Sequence, residues 1–335
     1  MRQARIKVPS DEGPGTYHVV TRTVNGERLF DDLAKEILRR QLWQVAEYCG
    51  VEIHTYAILS NHFHVLLRVP QQSSVSDAEL LRRYRILYPH PTRFQTQRWE
   101  VIQALLAANG PEAVAWRLRQ RALMNDVSAF MKLLKQRFSI WFNQTHRRYG
   151  TLWSERFKSV LLEPEPDLLA TVAAYIDLNC VRAGLARDPK DYRFCGYAEA
   201  VAGNKRARSG LAAVHSRPAR SWSSIQAAYR QRLFGSAASP RVAGATISAE
   251  QFARVLREDG RLPLATVLRC KIRYFTDGAV LGSRAYLLSR FAAWRRRNAV
   301  APPAAYPLPP VANWGNWSVL RRLRKQLYDD SGLQP

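Results

Sequence analysis

The feature that most constrains the fold of this chain is a pair of histidines inside a largely apolar segment. Residues 51–69 have the length and composition of paired strands, and they include Asn61-His62-Phe63-His64. Successive side chains of a strand point to opposite faces, so His62 and His64 share one face. Two imidazoles held side by side can bind one divalent metal ion. The alternative is a strand with two polar positions on a half-solvated face.

Composition favours a folded protein that binds a polyanion. The chain has 335 residues, enough for two domains or for one domain with a large appendage, and 47% of them are hydrophobic. Lysine and arginine number 51 against 27 acidic residues, which gives a net charge of +24. Nucleic acid is the expected partner, because each phosphate that a cation neutralises releases counterions. A membrane surface is the weaker alternative, since no basic amphipathic anchor stands out.

The sequence predicts a cytoplasmic, nucleoid-associated protein without a membrane anchor. The first residues are polar and lack the apolar core of a signal peptide, and no run of about 18 apolar residues occurs. The four cysteines are scattered and include no Cys-x-x-Cys pair. We therefore expect reduced thiols and no structural zinc site.

The order of the predicted elements indicates an α+β fold. A strand, a helix and two strands form the first half of a ferredoxin-like unit, and a helix, a strand and a helix form the second. These elements are predicted at residues 17–23, 31–48, 51–59, 62–69, 126–142, 155–163 and 167–182. We expect an antiparallel sheet with helices on one face. Residues 70–123 separate the two halves as a helical insertion, which either touches the substrate or elaborates the surface.

The helix at 167–182 carries three polar side chains on one stripe. Tyr175 and Asn179 are four residues apart and therefore lie one turn apart on the same face, and Arg182 follows at the next turn. Apolar residues continue this stripe towards the sheet. A lone tyrosine on such a helix is usually a packing residue. Three polar residues in register on a core-facing stripe indicate a functional site.

The composition changes after residue 200, and we predict three parts of the chain: a main domain at 1–200, a basic linker at 201–221 and a helical, basic C-terminal region at 222–335. Helical patterns in this last region recur at 223–233, 248–258, 264–274 and 283–297. Residues 271–298 are typical of a DNA-binding helix-turn-helix or, equally, of a small helical bundle with solvated charges. Arg284 in this segment is a candidate DNA-binding residue.

Several motifs occur in an order that resembles one family. They are Asn61-His62-Phe63-His64, Gly150-Thr151-Leu152-Trp153 leading into Arg156-Phe157-Lys158, Tyr175-Ile176-Asp177-Leu178-Asn179-Cys180-Val181-Arg182 and Asp191-Tyr192-Arg193-Phe194. Together they resemble the single-tyrosine HUH transposases, in particular the REP-associated tyrosine transposases. The resemblance covers about residues 16–200 and implies the HUH endonuclease fold there. The family usually has proline where this chain has Cys180, a departure that we expect to change helix geometry slightly.

The resemblance implies a metal-dependent endonuclease and strand transferase for single-stranded, hairpin-forming DNA. By it, His62, His64 and Asn179 bind a divalent metal, Mg²⁺ or Mn²⁺, and Tyr175 attacks the scissile phosphate to leave a 5′-phosphotyrosine and a free 3′-hydroxyl. Such chemistry suits a phenol, which is a poor nucleophile at neutral pH and needs help at the phosphate. Tyr192 is a rival nucleophile, but it lies in a turn-like segment with no ligand one helical turn away.

The sequence also allows other interpretations of the basic residues and of the function. Arg156, Lys158 and Arg182 are candidate DNA-backbone contacts or ordinary surface cations. A binding module for hairpin DNA or RNA without catalysis is the second candidate function. A replication initiator or relaxase is the third, although the chain lacks the phosphate-binding loop of an associated helicase. The sequence leaves monomer and homodimer both open.

Overall fold

The structure, a computed structural model, describes residues 5–9, 11–90, 97–215, 221–235, 264–269, 272, 274–277, 279–298, 305–308 and 314–320. Its strands are β1 (Gly15–Arg22), β2 (Glu52–Ile58), β3 (His62–Val69), β4 (Lys158–Leu162), β5 (Val280–Ser283), β6 (Ala305–Pro307) and β7 (Trp317–Leu320). Its α-helices are α1 (Asp32–Cys49), α2 (Asp77–Leu87), α3 (Trp99–Ala108), α4 (Pro111–Arg121), α5 (Val127–Thr145), α6 (Pro166–Asp177), α7 (Asn179–Arg182), α8 (Gly196–Val201), α9 (Lys205–Ala213), α10 (Trp222–Phe234), α11 (Leu264–Val267), α12 (Tyr274–Asp277) and α13 (Arg284–Asn298).

The seven strands in the described part of the chain form one sheet, in the order β2-β3-β1-β4-β5-β7-β6. Strand β3 pairs antiparallel with β2 and β1, and β1 pairs antiparallel with β4. The first four strands with α1 and α5 form the predicted ferredoxin-like unit, so the α+β class is confirmed. Strand β5 then runs parallel to β4 and joins the sheet to β7 and β6.

The first face of the sheet packs against α1 and α5, as the sequence predicts. Phe63 of β3 contacts Trp153, and Trp153 contacts Phe138 of α5, each pair with ring centroids 5.8 Å apart. Both helices begin at an aspartate that accepts hydrogen bonds from backbone N–H groups of the first turn, Asp31 for α1 and Asp126 for α5. These caps explain why the predicted starts of the two helices agree with the structure.

A further helix, α6, covers the opposite face of the same sheet. Thr55 of β2 points to that face and donates a hydrogen bond of 2.8 Å to Asp177 at the end of α6. Apolar residues on this second face, such as Leu66 and Val160, are fully buried. Helices therefore lie on both faces of the sheet and not on one face as predicted, because a strand with apolar residues on both sides must bury both.

The segment predicted as a basic linker contains helix α9, which lies against the edge strand β2. Gly210 of α9 comes so close that a Cβ there would lie 2.3 Å from the carbonyl oxygen of Ile53. Any larger residue would push the helix off the strand. The short helices predicted for 70–123 are present as α2, α3 and α4.

The C-terminal region differs from the helical unit that the sequence predicts. A helix-turn-helix has a short turn between its two helices. Strand β5 instead lies between α12 and α13, so the described residues of 271–298 do not form this motif. Of the helix predicted at 264–274, the described residues include α11 and the first residue of α12, and the helix predicted at 248–258 lies outside the described residues. The strands β5, β6 and β7 are only three or four residues long, too short for a recognisable alternating pattern.

Candidate active site

Three histidine rings line the second face of the sheet, next to α6. His62 and His64 of β3 have ring centroids 5.2 Å apart, as expected for residues two positions apart on a strand. His18 of β1 packs against His64 with ring centroids 5.1 Å apart. The predicted pair is therefore brought together on one face, and a third imidazole extends it across the neighbouring strand.

The hydrogen bonds of these rings fix which nitrogen carries the proton. His18 Nδ1 lies 2.6 Å from the carbonyl oxygen of Phe275, which only accepts, so His18 Nδ1 is the protonated nitrogen. His18 Nε2 then accepts from His64 Nδ1 at 2.9 Å. His62 Nδ1 donates in the same way to Asn61 Oδ1 at 2.6 Å. His62 and His64 thus both carry their lone pair on Nε2, the form in which imidazole binds a metal.

Burial keeps two of these imidazoles neutral. Removal from water lowers the pKa of His18 to about 4. The same desolvation, with the nearby His18, His62 and the guanidinium groups of Arg182 and Arg22, holds the pKa of His64 well below its ordinary value. Both rings are therefore uncharged at neutral pH, which a metal ligand requires.

Tyr175, the predicted nucleophile, lies on α6 beside the histidine row. Its ring stands edge-on to His18, with centroids 6.4 Å apart. Phe275 of α12 packs against it from the C-terminal region at 5.1 Å, and the guanidinium carbon of Arg182 lies 4.0 Å from its centroid. These neighbours leave Tyr175 only 2% exposed.

Asn179, the predicted third ligand, follows Tyr175 at the start of α7. Helix α6 ends at Asp177, and the chain continues through Leu178 into α7, so Tyr175 and Asn179 keep the spacing of about one helical turn. The Nδ2 group of Asn179 donates to the carbonyl oxygens of Tyr175 and Ile176. These bonds engage the amide nitrogen and not Oδ1, the atom that would bind a metal.

A buried carboxyl group fixes the end of α6. Asp177 accepts from Thr55 at 2.8 Å and from the phenol of Tyr229 in α10 at 2.5 Å. It is fully buried, and desolvation raises its pKa to about 7, an effect that the two hydroxyl donors reduce. The helix that carries Tyr175 is thereby tied both to the sheet and to α10.

The rival Tyr192 has a structural role in this arrangement. Its phenol donates a hydrogen bond of 2.7 Å to the carbonyl oxygen of Ile58 at the end of β2, and burial raises its pKa. The next residues pair with β2, since Ile58 N–H donates to the carbonyl oxygen of Phe194. The phenol of Tyr192 thus fastens this segment along the sheet edge.

The four residues predicted to contact DNA lie in different environments. Lys158 starts β4 opposite Val20, which pairs in turn with His64, so it lies on the histidine face about two strand spacings, roughly 10 Å, from His64. Arg156 and Arg284 are exposed. Arg182 donates to the carbonyl oxygens of Leu268 and Tyr175, each at 2.6 Å, and so holds the tyrosine helix against the C-terminal region.

Sequence reasoning missed three residues of this site: His18, Phe275 and Asp177. His18 is a polar residue in the first predicted strand, and alternation alone does not tell which partner strand lies beside it. Phe275 lies in a different predicted region from Tyr175, and nothing in the sequence links the two. Asp177 lies in the tyrosine motif, but the sequence does not show that Tyr229 contacts it, so it resembles an ordinary acidic residue of a helix.

Within the described part of the chain, no group of three or more His, Cys, Asp and Glu side chains is arranged to hold a metal ion. His18 uses both ring nitrogens in hydrogen bonds to Phe275 and His64, which explains why it does not complete a triad with His62 and His64. A metal at this place would need a further ligand of another kind, such as an amide oxygen. None of the helices in the described ranges is long and apolar enough to cross a membrane.

Comparisons with known proteins agree with the predicted resemblance. The model of the family described as "Transposase IS200 like" matches residues 14–80, which confirms the family resemblance over that segment. The matched residues include His62 and His64 and end before Tyr175. None of the curated proteins compared with the chain matches it.

The solved structures similar to this chain include a REP-associated tyrosine transposase bound to a REP hairpin. The alignment has a TM-score of 0.35 and 15% sequence identity, and it covers 61% of this chain and 87% of that chain.

Proposed function

We propose that this protein is a transposase that cleaves and rejoins single-stranded DNA beside a hairpin. Tyr175 is the nucleophile, and His62, His64 and Asn179 hold a divalent metal ion, Mg²⁺ or Mn²⁺. The family match at residues 14–80 supports the general class, and the tyrosine mechanism and the metal are our extension of it.

The observation that carries the proposal is the unbroken row of rings from the helix to the strand. Tyr175 contacts His18, His18 contacts His64, and His64 contacts His62, at centroid distances of 6.4, 5.1 and 5.2 Å. The elements that carry these residues are separated by a large part of the chain. The rings of Tyr175 and His64 therefore both contact His18, so that one ring lies between the proposed nucleophile and the histidine pair.

The residues fit a divalent metal ion. His62 and His64 present Nε2 lone pairs, and the carboxamide of Asn179 adds an oxygen, a donor set that several divalent ions accept. When bound, the metal supplies polarisation of a phosphoryl oxygen and offsets the charge that builds up there. His18 positions His64, because its hydrogen bond fixes the tautomer and the ring orientation.

The covalent step conserves the energy of the phosphodiester bond. The phenol oxygen of Tyr175 attacks phosphorus and loses its proton, the bond from phosphorus to the 3′-oxygen breaks, and that oxygen gains a proton. The product is a 5′-phosphotyrosine and a free 3′-hydroxyl, which can attack the ester later and reseal DNA without a nucleotide cofactor.

A basic surface beside the sheet edge supports a DNA partner. Arg39 and Arg40 of α1, with Lys205 and Arg206 of α9, line a cavity of about 510 Å³ together with Trp43, Gln44 and Asn204. The nearby carboxylates are already paired, since Glu36 contacts Arg39, Arg40 and Arg193, and Glu199 contacts Arg39. The surplus positive charge suits phosphate groups of a duplex stem.

A second candidate function is hairpin binding without cleavage, and the burial of Tyr175 favours it. Phe275 and Arg182 cover the ring from two sides, so a phosphate reaches the phenol only after these contacts separate. A protein in which they never separate would bind DNA and leave it intact, and the metal would then be irrelevant.

Incubation of the purified protein with hairpin DNA labelled at its 3′ end separates the two functions. The 3′ fragment keeps the label and carries the 5′-phosphate, so a covalent intermediate moves the label to the mobility of the protein on a denaturing gel. We expect this adduct with Mn²⁺, and none with EDTA or after His62→Ala or His64→Ala.

His54→Ala is the matched control, because His54 is another buried histidine of the sheet and lies outside the row of rings. It should leave the adduct unchanged. Equal adduct with and without metal would refute the metal role, and binding without any adduct on hairpins of varied sequence would favour the silent binding protein.

A further inference from the structure

The loop between α5 and β4 presents an aromatic ring to solvent. Tyr149 is 96% exposed, whereas the next most exposed large hydrophobic residue among those described, Leu118, is 63% exposed. Single exposed apolar residues are common on proteins, but a ring this exposed makes almost no contact with the described part of the structure.

The backbone of the loop forms a tight turn around Tyr149. Arg147 and Gly150, on either side of Tyr149, have positive φ angles of 49° and 85°. Arg147 is an unusual residue for this left-handed conformation, which favours glycine. Asn143 at the end of α5 fixes the turn, because its Nδ2 donates to the carbonyl oxygen of Gly150 and its own carbonyl oxygen accepts from Arg148 N–H.

Backbone contacts connect the same loop to residues 23–24 and, through Thr23, to Asn61, which precedes His62. Just after Tyr149, Leu152 accepts a backbone hydrogen bond of 2.9 Å from Val24, and Trp153 bridges to Thr23. Thr23 N–H in turn donates to the carbonyl oxygen of Asn61, the residue whose side chain orients His62. The loop that carries Tyr149 therefore lies at the end of the sheet where β3 begins with His62.

Positive charge surrounds this end of the sheet. Arg147 and Arg148 precede Tyr149 in the chain, and Arg22 pairs with His62 across the sheet and is exposed. Arg148 forms an ion pair of 3.7 Å with Glu27, yet its Nη1 is buried and has no hydrogen-bond partner in the described part of the structure. Exposed cations beside an exposed ring suit a ligand that brings both negative charge and a flat surface.

We propose that Tyr149 is a stacking platform for one unpaired nucleobase of the DNA strand at the rim of the proposed active site. Proteins that hold single strands combine cations that follow the backbone with aromatic rings on which bases stack, and each base offers such a face whatever its sequence. This inference rests on the proposed DNA-cleaving function, because it names the substrate feature that the site recognises: a base outside the hairpin stem.

Equilibrium binding of a fluorescent hairpin with a single-stranded flank of about ten nucleotides tests the proposal. Metal is omitted, so that binding is measured whether or not cleavage occurs. We expect Tyr149→Ala to weaken binding about 5- to 150-fold, and Tyr149→Phe to bind like the unchanged protein, since stacking needs the ring and not the hydroxyl. Leu118→Ala, which removes another exposed apolar side chain, should have no effect.

Abasic scanning locates the base. One at a time, the unpaired nucleotides are replaced by abasic residues, and binding is measured for the unchanged protein and for Tyr149→Ala. We expect one position where the abasic residue weakens binding by the unchanged protein and adds nothing to the loss already present in Tyr149→Ala. A stem without unpaired nucleotides should bind both proteins equally.

The proposal is overturned if Tyr149→Ala binds the flanked hairpin normally. It is also overturned if the loss of affinity in Tyr149→Ala adds to the loss caused by the abasic residue at every position. A circular dichroism spectrum and an unfolding midpoint equal to those of the unchanged protein show that the variant folds. If the unchanged protein forms no covalent adduct but the coupling between Tyr149 and one base is present, the proposed cleavage is refuted and the stacking site is supported.

Discussion

The buried carboxyl group of Asp177 links pH to the stability of the helix that carries Tyr175. Burial raises its pKa to about 7, so the folded protein binds this proton more tightly than the unfolded chain does, whose aspartates titrate near 4. The stabilisation that this produces is complete below about pH 4 and is lost as the pH rises through about 7.

Asp177→Asn should remove this dependence. Asparagine keeps the shape, so Oδ1 still accepts from Thr55 and from the backbone of Tyr197, while Nδ2 donates to Tyr229. We expect the unfolding free energy of the variant to gain on the order of 4 kcal/mol relative to the unchanged protein between pH 4 and pH 8. Urea unfolding at several pH values measures this, and a difference that stays constant with pH would contradict it.

His18 should control metal binding without being a ligand. Its hydrogen bond to His64 fixes the nitrogen that faces a metal, and the loss of such supporting contacts typically costs 10- to 100-fold in metal affinity. We expect His18→Leu to weaken Mn²⁺ binding by about that factor, as followed by titration calorimetry.

His54→Leu provides the comparison for that titration, because it also exchanges a buried imidazole for an apolar side chain. It should bind Mn²⁺ like the unchanged protein. Equal metal affinity in His18→Leu and His54→Leu would show that the histidine row has no such supporting role.

Which side chains could be predicted depended on how far their partners lie along the chain. His62 and His64 follow from strand alternation, and Tyr175 and Asn179 follow from helical spacing, both local rules. The approach of Tyr175 to the histidine pair rested on a family resemblance, and in the structure the two are linked through His18. The contact of Phe275 with Tyr175 spans two parts of the sequence that no periodicity connects.

The C-terminal strands extend the sheet of the main domain and do not form a separate appendage. Strand β5 pairs with β4, and Leu161 N–H donates to the carbonyl oxygen of Ala279 just before β5. Local helical patterns predicted the starts of α1 and α5 within one residue, because the N-caps Asp31 and Asp126 mark those starts. Parallel pairing between strands so distant in the chain has no comparable signal in the sequence.

Hydrogen exchange should show β4 and β5 opening together. Because β5 is buried between β4 and β7, its amide groups can exchange only when the sheet edge opens. We expect similar protection for peptides that cover 158–162 and 280–283 when exchange is followed by mass spectrometry. If the peptide that covers 280–283 exchanges orders of magnitude faster than the peptide that covers 158–162, the C-terminal strands open independently of the main domain.

The charge of the whole protein should make the proposed DNA binding depend on salt. The net charge of +24 and the basic cavity between α1 and α9 predict that the binding constant for hairpin DNA falls steeply as salt rises. Arg40→Gln combined with Arg206→Gln should reduce the slope of log K against log salt by about 1 to 2, since each duplex phosphate contact contributes about 0.9.

An exposed arginine in the helical insertion, Arg119, provides the control for that slope. Arg119→Gln should change it little, because this residue lies outside the basic cavity. An equal reduction from Arg119→Gln would mean that overall charge, and not this surface, sets the salt dependence.

The identity of the tyrosine that becomes linked to DNA is the most direct test of the account. The protein is incubated with hairpin DNA and Mn²⁺, digested with nuclease and protease, and the nucleotide-bearing peptide is identified by mass spectrometry. We predict the modification on Tyr175, its loss in Tyr175→Phe and its persistence in a folded Tyr192→Phe. A covalent adduct that survives Tyr175→Phe, or a modified peptide that contains Tyr192, would contradict it.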